Sequence, residues 1–413
     1  MFQADPQLSR VPGRRQPKPE LDLKTASKQD HLRMVIVMDH QSPGKLDMQF
    51  PDIWLRDNCR CGECFLPQTM SRLPQLWNNL DTSVRVQQHS VDLDQEILYI
   101  TWSDGHASQY PLAWLRVRDF SLANRTRYLS DFYRPEPRHW SGTDFEHIRR
   151  EFQYRDLLAS DEALLEWLDH LAVYGVALIK QAPLEFDVLR RLCNRVGFMR
   201  RTTYGDEFSV RAQPGASNYA YLAAPLPLHT DMPYFEYKPG VTLLHTLEQS
   251  DSPGGVNLLT DAYHVADLMR ERYPEQFRVL CQTSVDWADI GHDGELEFHN
   301  IWRAPVINLD AEGRYVRINH SIPQRDSHFT VPLEQVRPWY EAMALFVRLA
   351  HEEACSFKTT PGDVLTFNNL RLVHGRTGYD DTDRNVRHIV GAFIDWDIVY
   401  SRLRVLRNAK SIS

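Results

Sequence analysis

The segment Pro227–Asp231 places an imidazole and a carboxylate two residues apart, in the order His229-Thr230-Asp231. At the end of an extended strand, side chains two positions apart point to the same side, so both groups can reach one metal ion. Another histidine, His374, follows 145 positions later, directly after an apolar run. A fold that uses all three as ligands must bring two distant strand ends together.

The hydrophobic pattern after residue 160 alternates short β-type runs with few helices. It predicts a helix capped by Ser160, a strand over 176–179 and a helix over 186–196. Further strands are predicted over 241–247, 256–260, 363–367 and 387–394, with one long helix over 333–353. This balance is typical of a mainly β fold, a double-stranded β-helix (jelly roll) with flanking helices.

Composition along the chain predicts four parts. Residues 1–45 are rich in Pro, Gln, Lys and Arg with few aromatic residues, which is typical of a flexible leader. In 46–120, short apolar runs alternate with turn residues, which predicts a small β-rich module. Residues 121–159 are typical of a connector, and 160–413 would form the jelly-roll domain.

Three of the six cysteines, Cys59, Cys61 and Cys64, crowd into one short stretch of the β-rich module. With His106 they supply three thiolates and one imidazole, the closed set that structural zinc takes. Three free thiols clustered by chance, or His89 in place of His106, are the alternatives.

Six cysteines are too few for a disulfide scaffold in a chain of this length, so a reducing compartment is expected. We expect the cytoplasm, and a weak mitochondrial transit peptide is the alternative.

Two histidines and one carboxylate leave three coordination positions free, which lets Fe(II) hold a bidentate 2-oxo acid together with O2. A lone His-x-Asp often binds no metal, so Arg387, thirteen positions after His374, adds weight. Its planar, permanently charged guanidinium matches the distal carboxylate of 2-oxoglutarate. Alternate residues of a strand share a face, so Arg387 and Phe393 would both project into the barrel. A surface salt bridge is the alternative for Arg387 alone.

Charge and hydropathy argue against two classes of partner. Forty-seven basic and 55 acidic residues give a net charge of −8, so no whole-protein basic surface attracts phosphate backbones. We expect no nucleic-acid partner. No apolar run approaches the roughly 20 residues of a membrane helix, so we expect no membrane span.

Five blocks between Trp54 and Arg407 carry a family resemblance. They are Trp54-Leu55-Arg56-Asp57-Asn58-Cys59, Asp104-Gly105-His106, His229-Thr230-Asp231, Pro361-Gly362-Asp363 and Val373-His374-Gly375-Arg376. Together they resemble the γ-butyrobetaine dioxygenase and trimethyllysine dioxygenase family. Residues 201–205 and 395–404 are more similar to the butyrobetaine branch, whereas His299-Asn300 is similar to the trimethyllysine branch.

The resemblance implies iron on the two histidines and the aspartate, 2-oxoglutarate anchored by Arg387, structural zinc, ascorbate as reductant and a possible homodimer. It also implies an aromatic cage for a trimethylammonium group, which ring faces attract through cation–π contacts. The matching positions are Tyr204, Phe208, Tyr221 and Phe393, with Asn218 as a polar substrate contact. The family has tryptophan and tyrosine where Phe208 and Phe393 stand, so the cage here is a weaker cation partner. Core packing is the alternative for each aromatic residue.

The implied activity is a hydroxylation coupled to oxidative decarboxylation of 2-oxoglutarate. γ-Butyrobetaine would give L-carnitine in carnitine biosynthesis, and trimethyllysine would give its 3-hydroxy derivative. Two other classes stay open. A non-catalytic module that binds a methylated ammonium would need neither the metal ligands nor Arg387, and a metal-dependent hydrolase or isomerase would need no 2-oxoglutarate.

Overall fold

The computed structural model describes residues 34–37, 48–73, 81–211, 219–293, 296–382 and 386–412. Their contacts separate them into two units, one ending at Arg127 and the other beginning at Tyr128. The predicted leader lies outside the described residues except for 34–37. The four-part division of the chain stays a prediction.

The strands of the first unit are β1 (Met34–Val37), β2 (Met48–Pro51), β3 (Phe65–Leu66), β4 (Ser71–Arg72), β5 (Val86–Asp92), β6 (Ile97–Trp102) and β7 (Ala107–Pro111). Its helices are Asp52–Asp57, Leu112–Arg116 and Leu122–Arg127. Strands β5, β6 and β7 form an antiparallel meander. Alternate residues of β6, including Leu98, Ile100 and Trp102, are buried and form the core of this unit, as period-two patterning requires.

The strands of the second unit are β8 (Glu151–Gln153), β9 (Val176–Lys180), β10 (Glu207–Arg211), β11 (Leu226–His229), β12 (Val241–Glu248), β13 (Asn257–Asp261), β14 (Val285–Asp293), β15 (Leu296–Ala304), β16 (Ile307–Leu309), β17 (Tyr315–Ile318), β18 (Cys355–Phe357), β19 (Val364–Asn368), β20 (Leu372–Arg376) and β21 (His388–Ile394). Its α-helices are Phe145–Ile148, Tyr154–Ala159, Asp161–Tyr174, Val188–Val196, Ala262–Arg272, Pro274–Gln282, Leu333–Glu352 and Trp396–Ile412. Short 3₁₀ and π turns lie at Tyr128–Tyr133, Gly142–Asp144 and Tyr219–Tyr221.

Two large sheets form the centre of this second unit, and β14 with β15 and β16 with β17 form separate two-stranded sheets. In the part of the chain that is described, the larger sheet has the strand order β10-β21-β12-β19-β9-β8 and the smaller has β11-β20-β13-β18. All their pairings are antiparallel except β8 with β9. On β21, Val390, Ala392 and Ile394 pack against helices on the outside, whereas Phe393 faces the inner core. The predicted jelly roll with flanking helices is confirmed.

The helix Asp161–Tyr174 shows how local sequence places a flanking helix. The Ser160 hydroxyl accepts a hydrogen bond from the Ala163 amide at 3.2 Å, which caps the first turn. Leu164, Leu168 and Leu171 are fully buried at helical spacing. Gly175 ends the helix with φ +79°, a left-handed conformation that glycine adopts without strain. The predicted helix is therefore confirmed, and so is the strand β9 that follows it.

The segment 121–159 contains short helices and the strand β8, none of which the sequence pattern predicted. Their stability comes from tertiary contacts. Strand β8 pairs in parallel with β9. The indole of Trp140 is 3% exposed and donates a hydrogen bond to the Tyr174 carbonyl at 2.7 Å. Such elements lack a local signal because isolated short helices and strands are marginal in water.

Among the described residues no helix is long and apolar enough to span a bilayer.

A buried ion pair ties the smaller sheet to this segment. The Arg371 guanidinium donates to both carboxylate oxygens of Asp261, at 2.9 and 2.6 Å, and both side chains are fully buried. Arg371 also donates to the Val173 carbonyl at 2.9 Å, and Asp261 accepts from the Trp140 amide at 3.0 Å. Because Arg371 lies on the turn that enters β20, the pair helps to set the position of the strand that carries His374.

Replacing Arg371 with Met should leave a buried carboxylate without its counter-charge and lower the free energy of unfolding by about 3–5 kcal/mol. Urea denaturation followed by circular dichroism measures this loss. Arg348→Met is the matched control, because Arg348 forms an exposed pair with Glu352 at 3.4 Å and should change stability by less than about 1 kcal/mol. Equal effects of the two substitutions would contradict the assigned role of the buried pair.

Candidate metal centres and substrate pocket

His229 and His374 are direct cross-strand partners of β11 and β20. This register sets their imidazole rings side by side, with centroids 4.3 Å apart. The Asp231 Oδ1 atom lies 3.5 Å from Nε2 of His229 and 3.7 Å from Nε2 of His374. These spacings suit ligands that each stand about 2.0–2.2 Å from one ion. The structure thus brings together the three residues that the sequence singled out.

Hydrogen bonds orient the aspartate and one histidine. Nδ1 of His229 donates to the Pro227 carbonyl at 2.9 Å, which leaves Nε2 free to bind metal. The Thr242 hydroxyl donates to Oδ2 of Asp231 at 2.9 Å, so Oδ1 is the oxygen turned towards the histidines. The Asn369 side chain holds the Asp231 backbone, accepting from its amide at 2.7 Å and donating to its carbonyl at 3.0 Å.

The protonation states also suit a divalent metal. Burial lowers the pKa of His374 to about 4, so its imidazole is neutral near pH 7. Burial alone would raise the pKa of Asp231, but the facing His374 and His229 outweigh it, and the pKa of this carboxyl is lowered. A neutral imidazole and an ionised carboxylate are the metal-binding forms. Two imidazoles and one carboxylate beside an open pocket fit Fe(II) with free coordination positions.

Arg387 lies directly before β21 and is 5% exposed. Among the described residues its Nε atom has no hydrogen-bond partner. Arg376, also buried, lies close enough to contribute, after burial itself, to lowering the pKa of Arg387 to about 10. A buried guanidinium with an unpaired N–H group favours an anion, and a carboxylate matches it in shape and charge. Arg387 therefore fits the distal carboxylate of 2-oxoglutarate.

A pocket of about 470 Å³, counting its open mouth, adjoins His229 and Asp231. All four predicted cage residues line it: Tyr204, Phe208, Tyr221 and Phe393. The Phe208 and Phe393 rings stack at 5.1 Å with 25° between their planes. Gly391 makes this arrangement possible, since a Cβ atom there would lie 2.1 Å from the Phe208 ring. The predicted contact Asn218 lies outside the described residues.

Sequence reasoning missed other residues that line the pocket: Val210, Ala220, Met232, Tyr234 and Gln324. Met232 and Tyr234 had a usable signal, because they directly follow the His-x-Asp pair. Met232 also adopts φ +53°, an uncommon conformation for a residue with a side chain, and turns the chain directly after Asp231. Gln324 had no signal, because tertiary contacts alone bring its loop to the pocket.

The four predicted zinc ligands also converge. The sulfur atoms of Cys59, Cys61 and Cys64 lie 3.3, 3.5 and 3.6 Å from Nε2 of His106. Tetrahedral zinc, with bonds of about 2.3 Å to sulfur and 2.0 Å to nitrogen, separates its ligands by roughly 3.5 Å. Gly105, with φ +81°, forms the turn that presents His106. The alternative ligand His89 lies outside this cluster.

Arg56 supports the cysteine cluster. Its guanidinium donates to Cys64 Sγ at 3.6 Å and to the Asp104 carboxylate at 2.9 Å, and that carboxylate accepts from the His106 amide at 3.0 Å. Three thiolates around zinc carry a net negative charge, which a neighbouring guanidinium offsets. The donor set is closed, so it fits a structural rather than a catalytic ion.

Comparison with known proteins agrees with this geometry. Residues 135–393 match the taurine catabolism dioxygenase TauD, TfdA family, and residues 28–116 match the gamma-butyrobetaine hydroxylase-like N-terminal family. Gamma-butyrobetaine dioxygenase of Homo sapiens is 36% identical over 91% of this chain and 95% of that protein. The enzyme of that name from Pseudomonas sp. (strain AK-1) is 31% identical over 87% and 90%.

Two other similarities are more distant. Mitochondrial trimethyllysine dioxygenase of Bos taurus is 28% identical over 87% of this chain and 83% of that protein. A solved structure of asparagine oxygenase in complex with Fe(II), a hydroxyasparagine and succinate is 14% identical, with a TM-score of 0.46 over 58% of this chain and 83% of that one.

The fold and the site define a dioxygenase of the class that uses Fe(II) and 2-oxoglutarate. The chain belongs to the TauD, TfdA family, and within it to the family of gamma-butyrobetaine dioxygenase. The predicted family and enzyme class are thereby confirmed. This outcome selects the dioxygenase over the binding-module and hydrolase alternatives.

Replacing Cys59 with Ser should reduce bound zinc from about one equivalent per chain to a small fraction, because one of four ligands is lost. Elemental analysis of the purified protein measures the metal. Cys281→Ser is the control, since Cys281 lies outside the cluster and should leave zinc unchanged. In the wild type, titration with a thiol-binding mercurial should release zinc, and wild-type protein without zinc would contradict the site.

Replacing Arg387 with Ala should raise the KM for 2-oxoglutarate by about 30-fold or more, because a buried charge-paired contact is worth about 2–5 kcal/mol. Succinate formation at varied 2-oxoglutarate measures this change. Arg211→Ala removes an exposed arginine from the neighbouring strand β10 and should leave the KM unchanged. An unaltered requirement for 2-oxoglutarate in the Arg387 variant would exclude this anchor.

Proposed function

We propose that this enzyme hydroxylates a trimethylammonium compound, and that its reaction converts γ-butyrobetaine to L-carnitine. The observation that carries the proposal is the set of aromatic side chains around a pocket that opens on His229 and Asp231. A quaternary ammonium cannot donate a hydrogen bond, so ring faces are the surfaces that compensate its loss of water. Greater similarity to gamma-butyrobetaine dioxygenase than to trimethyllysine dioxygenase supports the choice of substrate.

In this proposal His229, Asp231 and His374 hold the ferrous ion, and Arg387 holds the distal carboxylate of 2-oxoglutarate. Iron bound there supplies the redox chemistry, in which O2 and 2-oxoglutarate give succinate, CO2 and one oxygen atom for a substrate C–H bond. The hydrogen bonds from Thr242 and Asn369 keep the carboxylate ligand in one orientation. The ligand geometry is thus in place before substrate enters.

The cage residues position the substrate. Stacked Phe208 and Phe393, together with Tyr204 and Tyr221, would fix the cation so that one methylene group faces the metal. The buried rings of Tyr204 and Phe393 also keep water out of the reacting region. Phenylalanine is a weaker cation partner than tryptophan or tyrosine, so Phe208 and Phe393 predict a modest affinity for the cation.

Four further features belong to the proposal. Ascorbate would keep the iron ferrous, and zinc would stabilise the N-terminal unit. We place the enzyme in the cytoplasm, because the thiolates of the zinc site persist best in a reducing compartment. A mitochondrial location is the alternative. A homodimer is proposed from the family resemblance, and light scattering on the purified protein measures the oligomeric state.

Purified protein incubated with Fe(II), ascorbate, 2-oxoglutarate and γ-butyrobetaine should form L-carnitine and succinate in equal amounts. Mass spectrometry identifies the products, and trimethyllysine offered separately tests the alternative substrate. Asp231→Ala should abolish both products, because it removes a metal ligand. Faster turnover of trimethyllysine would reverse the assignment, and hydroxylation of neither compound would overturn the proposal.

A further inference from the structure

A carboxylate lies directly behind the aromatic cage. The hydroxyl of Tyr204 donates a hydrogen bond to Oδ2 of Asp289 at 2.8 Å. Tyr204 lines the pocket and is only 9% exposed, so one side of its ring faces the substrate region while its hydroxyl meets Asp289. Asp289 itself does not line the pocket. Its contact with the pocket is therefore indirect, through the Tyr204 hydroxyl.

The β14–β15 hairpin builds this arrangement. Asp289 pairs with Asn300 and Gly291 pairs with Phe298, so these four residues share one face of the hairpin. The Phe298 ring meets the Tyr204 ring edge-on, with centroids 5.6 Å apart and 69° between planes. The hairpin thus supports the cage tyrosine from behind with one ring and one carboxylate.

A second pocket tyrosine lies near the same carboxylate. Tyr234 is 2% exposed, and its pKa is raised well above the usual value by burial and by the adjacent Tyr204 and Asp289. Tyr234 therefore stays neutral. Within the described ranges, no lysine, arginine or histidine nitrogen lies within 4.0 Å of the Asp289 oxygens. The negative charge of the carboxylate is not neutralised by an ion pair there.

We infer that Asp289 gives the pocket its selectivity for a permanent cation, as a positioning and charge-setting residue behind Tyr204. This inference rests on the proposed trimethylammonium substrate. Phe208 and Phe393 offer only ring faces, whose attraction for a cation is the weakest among the aromatic residues that form such cages. A carboxylate behind the cage adds a formal negative charge, and a half-buried position beside packed rings screens that charge less than open water does.

A purely structural role for Asp289 makes a different prediction. If the carboxylate only fixed the Tyr204 ring, its loss would disturb every ligand that fills the cage. If its charge selects the cation, the loss would weaken a charged ligand and spare a neutral one of the same shape. Asp289→Asn separates the two roles, because asparagine keeps an oxygen that accepts the Tyr204 hydrogen bond but carries no charge.

The test compares γ-butyrobetaine with its neutral isostere, in which a carbon atom replaces the quaternary nitrogen. Full-length enzyme loaded with Fe(II) and 2-oxoglutarate is used, with KM measured during turnover and Kd measured without O2. Asp289→Asn should raise both constants about tenfold for γ-butyrobetaine, which corresponds to about 1.4 kcal/mol, and by less than about twofold for the isostere. Asp289→Glu should restore most of the preference for the cation.

Glu297→Gln is the matched control, since Glu297 is an exposed carboxylate on the other strand of the same hairpin. It should leave both ligands unaffected. Equal losses for the cation and the isostere in Asp289→Asn, or no loss for either, would overturn the inference. A wild-type enzyme that binds both ligands equally would also overturn it, even if the variant failed to fold. Tight binding of the cation without hydroxylation would reject the proposed reaction alone, because the ratio of Kd values still decides the role of Asp289.

Discussion

The pairing of His229 with His374 across β11 and β20 is the contact on which the site depends. The antiparallel register sets the two imidazoles side by side. Asp231, two residues after His229, places its carboxylate next to them. A slip of one residue would send one imidazole to the opposite face of the sheet and destroy the ligand set. The register of one strand pair therefore decides whether this chain can assemble its iron site.

The surrounding residues keep that register and orientation. Thr242 on the larger sheet and Asn369 on the turn before β20 both hold Asp231, so the two sheets meet at the metal ligands. The buried pair of Arg371 and Asp261 anchors the start of β20. Polar groups buried in this way are costly unless every partner is present, which makes the correct arrangement the favourable one.

Strand β21 and the β14–β15 hairpin carry two further parts of the site. Strand β21 begins directly after Arg387 and places Phe393 in the pocket, so one strand links the proposed 2-oxoglutarate anchor to the proposed cage. The β14–β15 hairpin supplies Asp289 and Phe298 behind Tyr204. A pocket formed from hydrocarbon rings with a carboxylate behind them combines apolar shape with negative potential. That combination suits a bulky cation that cannot donate hydrogen bonds.

Local sequence patterns predicted the His229-x-Asp231 pair, the thiol cluster and the capped helix after Ser160, because each depends on residue type and short spacing. The cage aromatics were expected from the family resemblance alone. No comparable local signal marks the elements within 121–159, Gln324 or Asp289, and only the tertiary structure decided their positions. Strand β8 is stabilised by its pairing with β9. Asp289 meets Tyr204 because the fold brings the β14–β15 hairpin next to it. Contacts between residues far apart in the chain depend on the whole packed fold, which no local pattern encodes.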